Sequence, residues 1–373
     1  MSAGAQNSNR ALCNAARAGD TAEVLRLLGA GEDGHAASPN AVFDPVNNVT
    51  VLMLAAEHGS AAMVHALLDA GASWQERSLD GATPGEYAMA NTKDRECFKL
   101  LLEWAVQCEM ILGAATLKQR EEEEAQHISS NEEYLSSSIK YTEDGDIIDE
   151  SSGDAVMMEW ETPLMERHAM EITSRKEPGE GVVLNIGFGM GIIDRFIERE
   201  RPKQHVIIEA HPDVYKQMIR LGWDKKPNVK VVFGRWQDVI DELGLTFKFD
   251  GVFFDTYGEY WEDMVALHRR LPAIMNEGGV YSFFNGLSPD NIFFHLVAGE
   301  VARRELNELG FSVSFSPVKV DTVGSTTWDS VEKMGSGRRY WHFDQYFVPV
   351  CVLTRPAGPA GPAEPASPGG ELP

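Results

Sequence analysis

Three glycines at alternate positions constrain this chain more than any other feature. Gly187, Gly189 and Gly191 follow an apolar run, Gly181-Val182-Val183-Leu184-Asn185-Ile186, and precede a stretch with helical spacing from Ile192 to Arg201. A buried strand that turns on glycines into a helix is the opening unit of a parallel α/β sheet. The same order recurs downstream. His205–Glu209 reads as a second strand, Pro212–Leu221 as a helix, Val229–Phe233 as a third strand and Phe249–Asp255 as a fourth. A helix over Glu262–Met275 leads to a strand at Gly279–Phe284. Phe311–Val320 and Tyr340–Leu353 follow as a final strand pair with no helix between them, which suits an antiparallel edge. The expectation is a doubly wound, mostly parallel sheet.

The glycine spacing, G-x-G-x-G, departs from the dinucleotide pattern G-x-G-x-x-G. A cofactor without a pyrophosphate does not need the third glycine at its usual offset. Glu209 ends the second strand, 22 residues after Gly187, where a carboxylate can take both hydroxyls of a ribose. Trp236-Gln237-Asp238, just after the third strand, offers an aromatic ring and an acid suited to an adenine edge. Together these features favour S-adenosylmethionine over a nicotinamide dinucleotide.

The first hundred residues repeat. Ala15-Ala16-Arg17-Ala18-Gly19-Asp20 is answered by Ala55-Ala56-Glu57-His58-Gly59-Ser60, and each precedes an apolar helical stretch, Val24–Leu28 and Met63–Leu68. Thr50-Val51-Leu52 is answered 33 residues later by Thr83-Pro84-Gly85. Helical periodicity alone fits any bundle, but this period with these signals resembles ankyrin repeats. Glycines are expected to close the helices in the left-handed conformation. The first two copies are 40 residues apart, so seven residues beyond the period are inserted around Ser38–Asn47. A degenerate third copy covers Thr83–Trp104. The expected divisions are a repeat domain over 1–110, an acidic linker over 111–133, a catalytic domain over 134–355 and a disordered Pro/Gly/Ala tail over 356–373.

Charge limits the partners. With 33 Lys+Arg against 57 Asp+Glu, the net charge of −24 disfavours nucleic acid and anionic membrane, and leaves room for a basic partner. From Arg120 to Glu161 alone there are 14 acidic and 2 basic residues. Glu121–Glu124 read as a solvated helix end, whereas the less polar stretch from Tyr134 to Tyr141 suits a lid over the next domain. Cys13, Cys97, Cys108 and Cys351 are too scattered for a zinc site or a redox pair. His168, His211, His295 and His342 fall in different elements without ligand spacing, so no metal is expected. No apolar run suits a leader or a membrane span, and a soluble intracellular protein is expected.

Met157-Met158-Glu159-Trp160-Glu161-Thr162-Pro163-Leu164-Met165, the glycine turn, Ile208-Glu209-Ala210, Gly234–Asp238 and Phe254-Asp255-Thr256-Tyr257 occur in an order similar to that of the guanidinoacetate methyltransferase lineage. With the repeats in front and the longer run Phe254–Met264, the chain resembles the protein arginine N-delta-methyltransferases, or type IV enzymes. The resemblance covers roughly Tyr134 to Leu353. It implies a seven-stranded, Rossmann-like methyltransferase sheet, S-adenosylmethionine as cofactor, and a location in cytoplasm and nucleus. The implied substrate is an arginine of a protein, with large-subunit ribosomal proteins as the family's expectation and the ankyrin repeats as a docking surface. Thr326-Thr327-Trp328 is not the signature of the arginine methyltransferases that modify terminal nitrogens.

The resemblance also carries site residues. Glu161 and Asp255 match the carboxylates that clamp a guanidino group, and Tyr257 orients its fork. For the cofactor the matching positions are Tyr134 from the lid, Met157 and Met165, the turn residues Gly187, Phe188, Gly189, Met190, Gly191 and Ile192, then Glu209, Ala210 and His211 at the ribose, Trp236 and Gln237 at the adenine, and Asp255 beside the methyl group. Tyr340-Trp341-His342 would shape a wall. Taken alone, without the block around it, Glu161 reads sooner as a surface acid of the linker, Met157 and Met165 as plain core, and His211 as an ordinary residue at a helix start. Two other functions stay open: methylation of a small guanidino metabolite, and an ankyrin scaffold with a silent catalytic domain.

Overall fold

Polar residues at their N-termini and glycines at their ends set the helices of the repeat region. The computed structural model describes residues 3–29, 36–91, 94–123, 131–142, 146–150, 154–259, 261–320 and 341–354. The tail, Tyr340, Thr326–Trp328 and the side chains of Glu121–Glu124 lie outside them. Contacts divide the chain into two units, one of 1–124 with 286–302, the other of 125–285 with 303–373.

In the first unit, α1 (Ala3–Ala18) and α2 (Thr21–Leu28) form one pair, with Asp20 Oδ1 accepting the Glu23 N–H at 3.1 Å. A hairpin of β1 (Val42–Asp44) and β2 (Val49–Thr50) occupies the insertion. The second pair is α3 (Val51–His58) and α4 (Ala61–Asp69), and the third is α5 (Pro84–Ala90) and α6 (Glu96–Glu123). Ala15, Ala16, Ala55 and Ala56 are all buried, so the alanine pairs are the faces on which neighbouring helices close. The helix-ending glycines differ in their reasons. Gly19 and Gly71 have φ of 74° and 91°, whereas Gly59 has φ −92° and is required by space: a Cβ there would lie 2.6 Å from the Ala55 carbonyl. Helix α6 runs on through the first part of the expected linker. Segment 286–302 belongs to this unit, with Phe293 buried between Trp74 and Phe98.

The second unit begins with α7 (Glu132–Ser136) and a small antiparallel sheet of β3 (Ile139–Tyr141), β4 (Ile147–Asp149) and β5 (Ala155–Met157). A 3-10 turn at Glu159–Glu161 opens α8 (Thr162–Thr173). Then come β6 (Val182–Ile186), α9 (Ile192–Arg199), β7 (Gln204–Glu209), α10 (Pro212–Arg220), β8 (Val229–Phe233), α11 (Trp236–Thr246) and β9 (Phe249–Phe254). The chain continues through α12 (Trp261–His268), α13 (Leu271–Ile274), β10 (Met275–Phe283), α14 (Ile292–Glu308), β11 (Phe311–Lys319) and β12 (Gln345–Leu353).

The seven-stranded sheet has the order β11-β12-β10-β9-β6-β7-β8. Its pairs from β10 to β8 are parallel, and β12 is antiparallel to both β10 and β11. From β6 the chain winds outward to β8, then returns to β9 on the other side of β6. That reversal makes a crevice at the carboxyl ends of β6 and β9, the place where open α/β sheets bind ligands. The expected single helix over Glu262–Met275 is two. Pro272 starts α13 afresh, because proline has no N–H to continue a helix but suits a first turn, and Met275 already belongs to β10. No described helix is long and apolar enough to cross a membrane.

Candidate active site

Two short backbone bonds fix the crevice. The Gly187 N–H reaches the Ile208 carbonyl at 2.9 Å and the Asp255 N–H reaches the Ile186 carbonyl at 2.9 Å, so the ends of β6, β7 and β9 are laced together. Gly187, Gly189 and Gly191 all have positive φ, of 99°, 54° and 65°. Their space is taken by the protein itself. A Cβ on Gly187 would sit 1.8 Å from the Asp255 carbonyl oxygen, one on Gly189 2.8 Å from Met157 Sδ, and one on Gly191 2.5 Å from the Phe188 ring. The alternating glycines thus let the turn fold against Asp255 and Met157, a reason nearer than ligand approach.

A cavity of about 430 Å³ opens beside this turn. Its wall includes Tyr134, Met157, Glu161, Gly187, Gly189, Glu209, Ala210, Trp236, Gln237, Asp255 and Tyr257, eleven of the residues named from sequence. The others sit behind it. Met165 and Ile192 pack in the core with Ile172, Val183 and Ile197, because they lie on the faces of α8 and α9 turned to the sheet. Phe188 points away into a cluster with Ile207, Val214, Met218 and Trp223. Gly191 is the N-cap of α9, and Met190 packs against the core with its N–H 3.3 Å from Met157 Sδ. His211 caps α10, its Nδ1 accepting the Asp213 N–H at 3.2 Å, and its ring lies 4.8 Å from that of Tyr134. Trp341 is buried against Tyr346 and Val348.

Glu209 is buried, and its two oxygens accept the N–H groups of Phe188 at 2.9 Å and His211 at 2.6 Å. Burial pushes its carboxyl above the ordinary range, while these amides pull it back. The N–H groups of Gly189 and Ala210 pull in the same direction. Glu161 is 3% exposed, delivered to the cavity by the 3-10 turn, with Oε1 accepting the Met158 N–H at 3.0 Å. Asp255 shows part of its surface to the cavity, yet the protein packed around it pushes its carboxyl up to about 7. Tyr134, carried by α7 out of the acidic segment, has its ring 4.8 Å from that of Tyr257.

Several wall residues had no role in the sequence reading. They include Asn131, Arg235, Thr256, Glu259 and Phe284. Glu259 matters most: it accepts from Trp236 Nε1 at 2.9 Å, Gln237 Nε2 at 2.7 Å and Thr256 Oγ1 at 2.8 Å. Its signal was its place two residues after Tyr257 in the same motif.

The wall fits a nucleoside. Glu209 and Ala210 line the cavity at the end of β7, where a ribose is expected, and Gln237, whose Oε1 is buried without a partner, lines it with Trp236. Residues 125–292 match the family model for guanidinoacetate N-methyltransferase, and 12–110 match a three-copy ankyrin model. This defines an S-adenosylmethionine-dependent methyltransferase domain preceded by ankyrin repeats.

Proteins called protein arginine N-methyltransferase 2 are similar over most of that domain and beyond. The one from Candida glabrata is 43% identical over 220 residues, 58% of this chain and 51% of its own. That from Yarrowia lipolytica is 38% identical over 231 residues, 60% of this chain and 48% of its own. The Saccharomyces cerevisiae protein is 30% identical over 322 residues, 77% of this chain and 76% of its own. The matched region thus spans about half the length of the first two. The chain belongs to the protein arginine N-methyltransferase 2 family.

Proposed function

We propose that this chain transfers a methyl group from S-adenosylmethionine to the internal δ nitrogen of an arginine in a basic protein. A large-subunit ribosomal protein, met in cytoplasm or nucleus and docked on the ankyrin repeats, is the proposed substrate. The observation that carries the reading is that Glu161 and Asp255 line one cavity with the glycine turn and Glu209.

A guanidinium is a poor nucleophile, because it stays protonated to very high pH and its lone pairs are delocalised. Glu161, as an ion-pair partner of the fork, holds positive charge toward the terminal nitrogens and leaves the δ nitrogen free to attack. A bound S-adenosylmethionine would supply an electrophilic methyl on a sulfonium, the C–S electron pair remaining on sulfur as the arginine nitrogen takes the methyl. Asp255 takes the proton that the methylated nitrogen sheds, and a carboxyl pushed up to about 7 is well matched to that task near neutral pH.

Charge supports a protein substrate. Asp154, Glu161, Glu209, Asp255 and Glu259 line the cavity against one cation among its described residues, Arg235. An arginine within a chain brings only positive charge to that wall. A metabolite such as guanidinoacetate adds a carboxylate, for which the wall supplies little. That second reading is favoured by the family model over 125–292.

The test offers labelled cofactor to the full chain with guanidinoacetate in one arm and a basic-protein extract in the other. Hydrolysis and mass spectrometry then identify the methylarginine isomer. δ-Methylarginine in the protein arm is the expected result. Label confined to guanidinoacetate selects the metabolite reading, a terminal-nitrogen product overturns the δ assignment, and cofactor binding without transfer in either arm selects the silent scaffold.

A further inference from the structure

Glu259 receives three donors. Trp236 Nε1 reaches its two oxygens at 3.1 and 2.9 Å, Gln237 Nε2 reaches Oε1 at 2.7 Å, and Thr256 Oγ1 reaches Oε2 at 2.8 Å. An ionised carboxylate only accepts, and an indole N–H only donates. The orientation of the Gln237 amide is therefore decided by its neighbour: the NH₂ must face Glu259. The carbonyl Oε1 is left buried and without a partner, on a residue that lines the cavity. An unpaired buried acceptor is costly unless a ligand donor meets it.

We propose that Glu259 is a positioning residue that fixes Gln237 so that an acceptor, and not a donor, meets the 6-amino group of the cofactor's adenine. This rests on the reading of the cavity as a cofactor site with its adenine at Trp236 and Gln237. Glu259 thereby sets base specificity through Gln237. An adenine presents an NH₂ at position 6, whereas a hypoxanthine presents a carbonyl, which would oppose Oε1 as one acceptor against another. Because Thr256 and Glu259 lie on the loop that follows Asp255, the same loop that carries a candidate proton acceptor also orients the base reader.

The experiment is calorimetric binding of S-adenosylhomocysteine and of its 6-oxo counterpart, S-inosylhomocysteine, to the full chain, with no turnover involved. The parent chain is expected to favour the adenine form by about tenfold or more. In Glu259→Gln the new amide offers one acceptor and one donor, so Gln237 can turn its NH₂ to the cavity. The preference should then shrink by about tenfold or reverse, chiefly through tighter binding of the inosine form. Gln237→Leu leaves Glu259 intact and removes the acceptor, and should bring the two affinities within about threefold of each other. A merely structural role would weaken both ligands together and leave their ratio unchanged. No preference in the parent chain, or an unchanged ratio in either folded variant, overturns the role of Glu259. Failure of the parent chain to bind S-adenosylhomocysteine at all overturns instead the reading of the cavity on which it rests.

Discussion

At the scale of single residues, three of the five carboxylates lining the cavity invite three different consequences of removal. Glu209 already holds two backbone N–H groups, that of Phe188 in the glycine turn and that of His211 at the start of α10, so Glu209→Ala frees them as well as losing bonds to a ribose. Charge-assisted bonds are worth about 1.5–3 kcal/mol each, and cofactor affinity measured by calorimetry should fall at least about tenfold. Glu161→Gln keeps an acceptor for the Met158 N–H and should leave cofactor affinity nearly intact while lowering kcat. Parent-level turnover in that variant would return Glu161 to the bland role of a linker acid.

Asp255 carries a pH signature of its own. Its carboxyl is raised from 3.8 to about 7, so the folded state binds the proton more tightly than the unfolded chain does. Stability from this group is complete below the unfolded value and is lost as pH rises toward the folded value. Asp255→Asn should therefore unfold at a higher temperature than the parent, by a margin that grows from about pH 4 to about pH 7 and then levels. The same variant should lose about 10²–10⁴-fold in turnover, together with the acid limb near pH 7 in the parent's kcat/KM profile. Thermal melts and pH–rate profiles that show no difference between Asp and Asn would remove Asp255 from the chemistry.

Elements tell which parts of the fold a local pattern can announce. Strand β6, its glycine turn and α9 were legible because their apolar run and their helical period change over within a few residues, and glycine marks the change. The alanine pairs at Ala15 and Ala55 gave the repeats away in the same manner. The sheet of β3, β4 and β5 was not legible, since strands of three residues in an acidic stretch show no alternation to count. Glu259 was missed for a related reason: its value lies in donors from Trp236, Gln237 and Thr256, which only the fold assembles. The turn supplies a test of packing against strain. Gly187→Ala meets the Asp255 carbonyl at 1.8 Å, whereas Gly222, with φ 79°, has nothing within 4 Å of a Cβ. Gly222→Ala should cost only the left-handed strain, roughly 1–2 kcal/mol. Gly187→Ala should cost clearly more and also weaken cofactor binding, since it must displace Asp255. Equal losses in denaturant titrations would mean that backbone strain alone explains both glycines.

For the molecule as a whole, the sequence suggested cutting between repeats and catalytic domain, but segment 286–302 groups with residues 1–124. No local period could reveal this, because it joins positions some two hundred residues apart. Phe293 is fully buried, close enough to α5 that a Cβ on Gly85 would fall 2.1 Å from its ring, and Trp74 and Phe98 meet it edge-on at 6.4 and 6.1 Å. Around it, Asn291 Nδ2 donates to Glu86 Oε2 at 2.7 Å, and Arg77 pairs with Asp290 at 2.8 Å. A fragment from 130 to 355 would carry Phe293 without its partners, and deletion of 1–104 would do the same. Loss of turnover in either truncation would thus mix damaged folding with lost recognition. The full chain with Phe293→Ala separates them. The substitution should cost about 3–5 kcal/mol, as large core truncations do, and the loss should fall on the first unit. Hydrogen exchange is expected to quicken in α5 and in the start of α6, with the amides of β6, β7 and β9 still protected. Cofactor affinity should persist, because every residue lining the candidate site belongs to the second unit. Equal deprotection of both sets of amides would show that the two units unfold as one, and parent-like exchange throughout would show that Phe293 holds nothing in place.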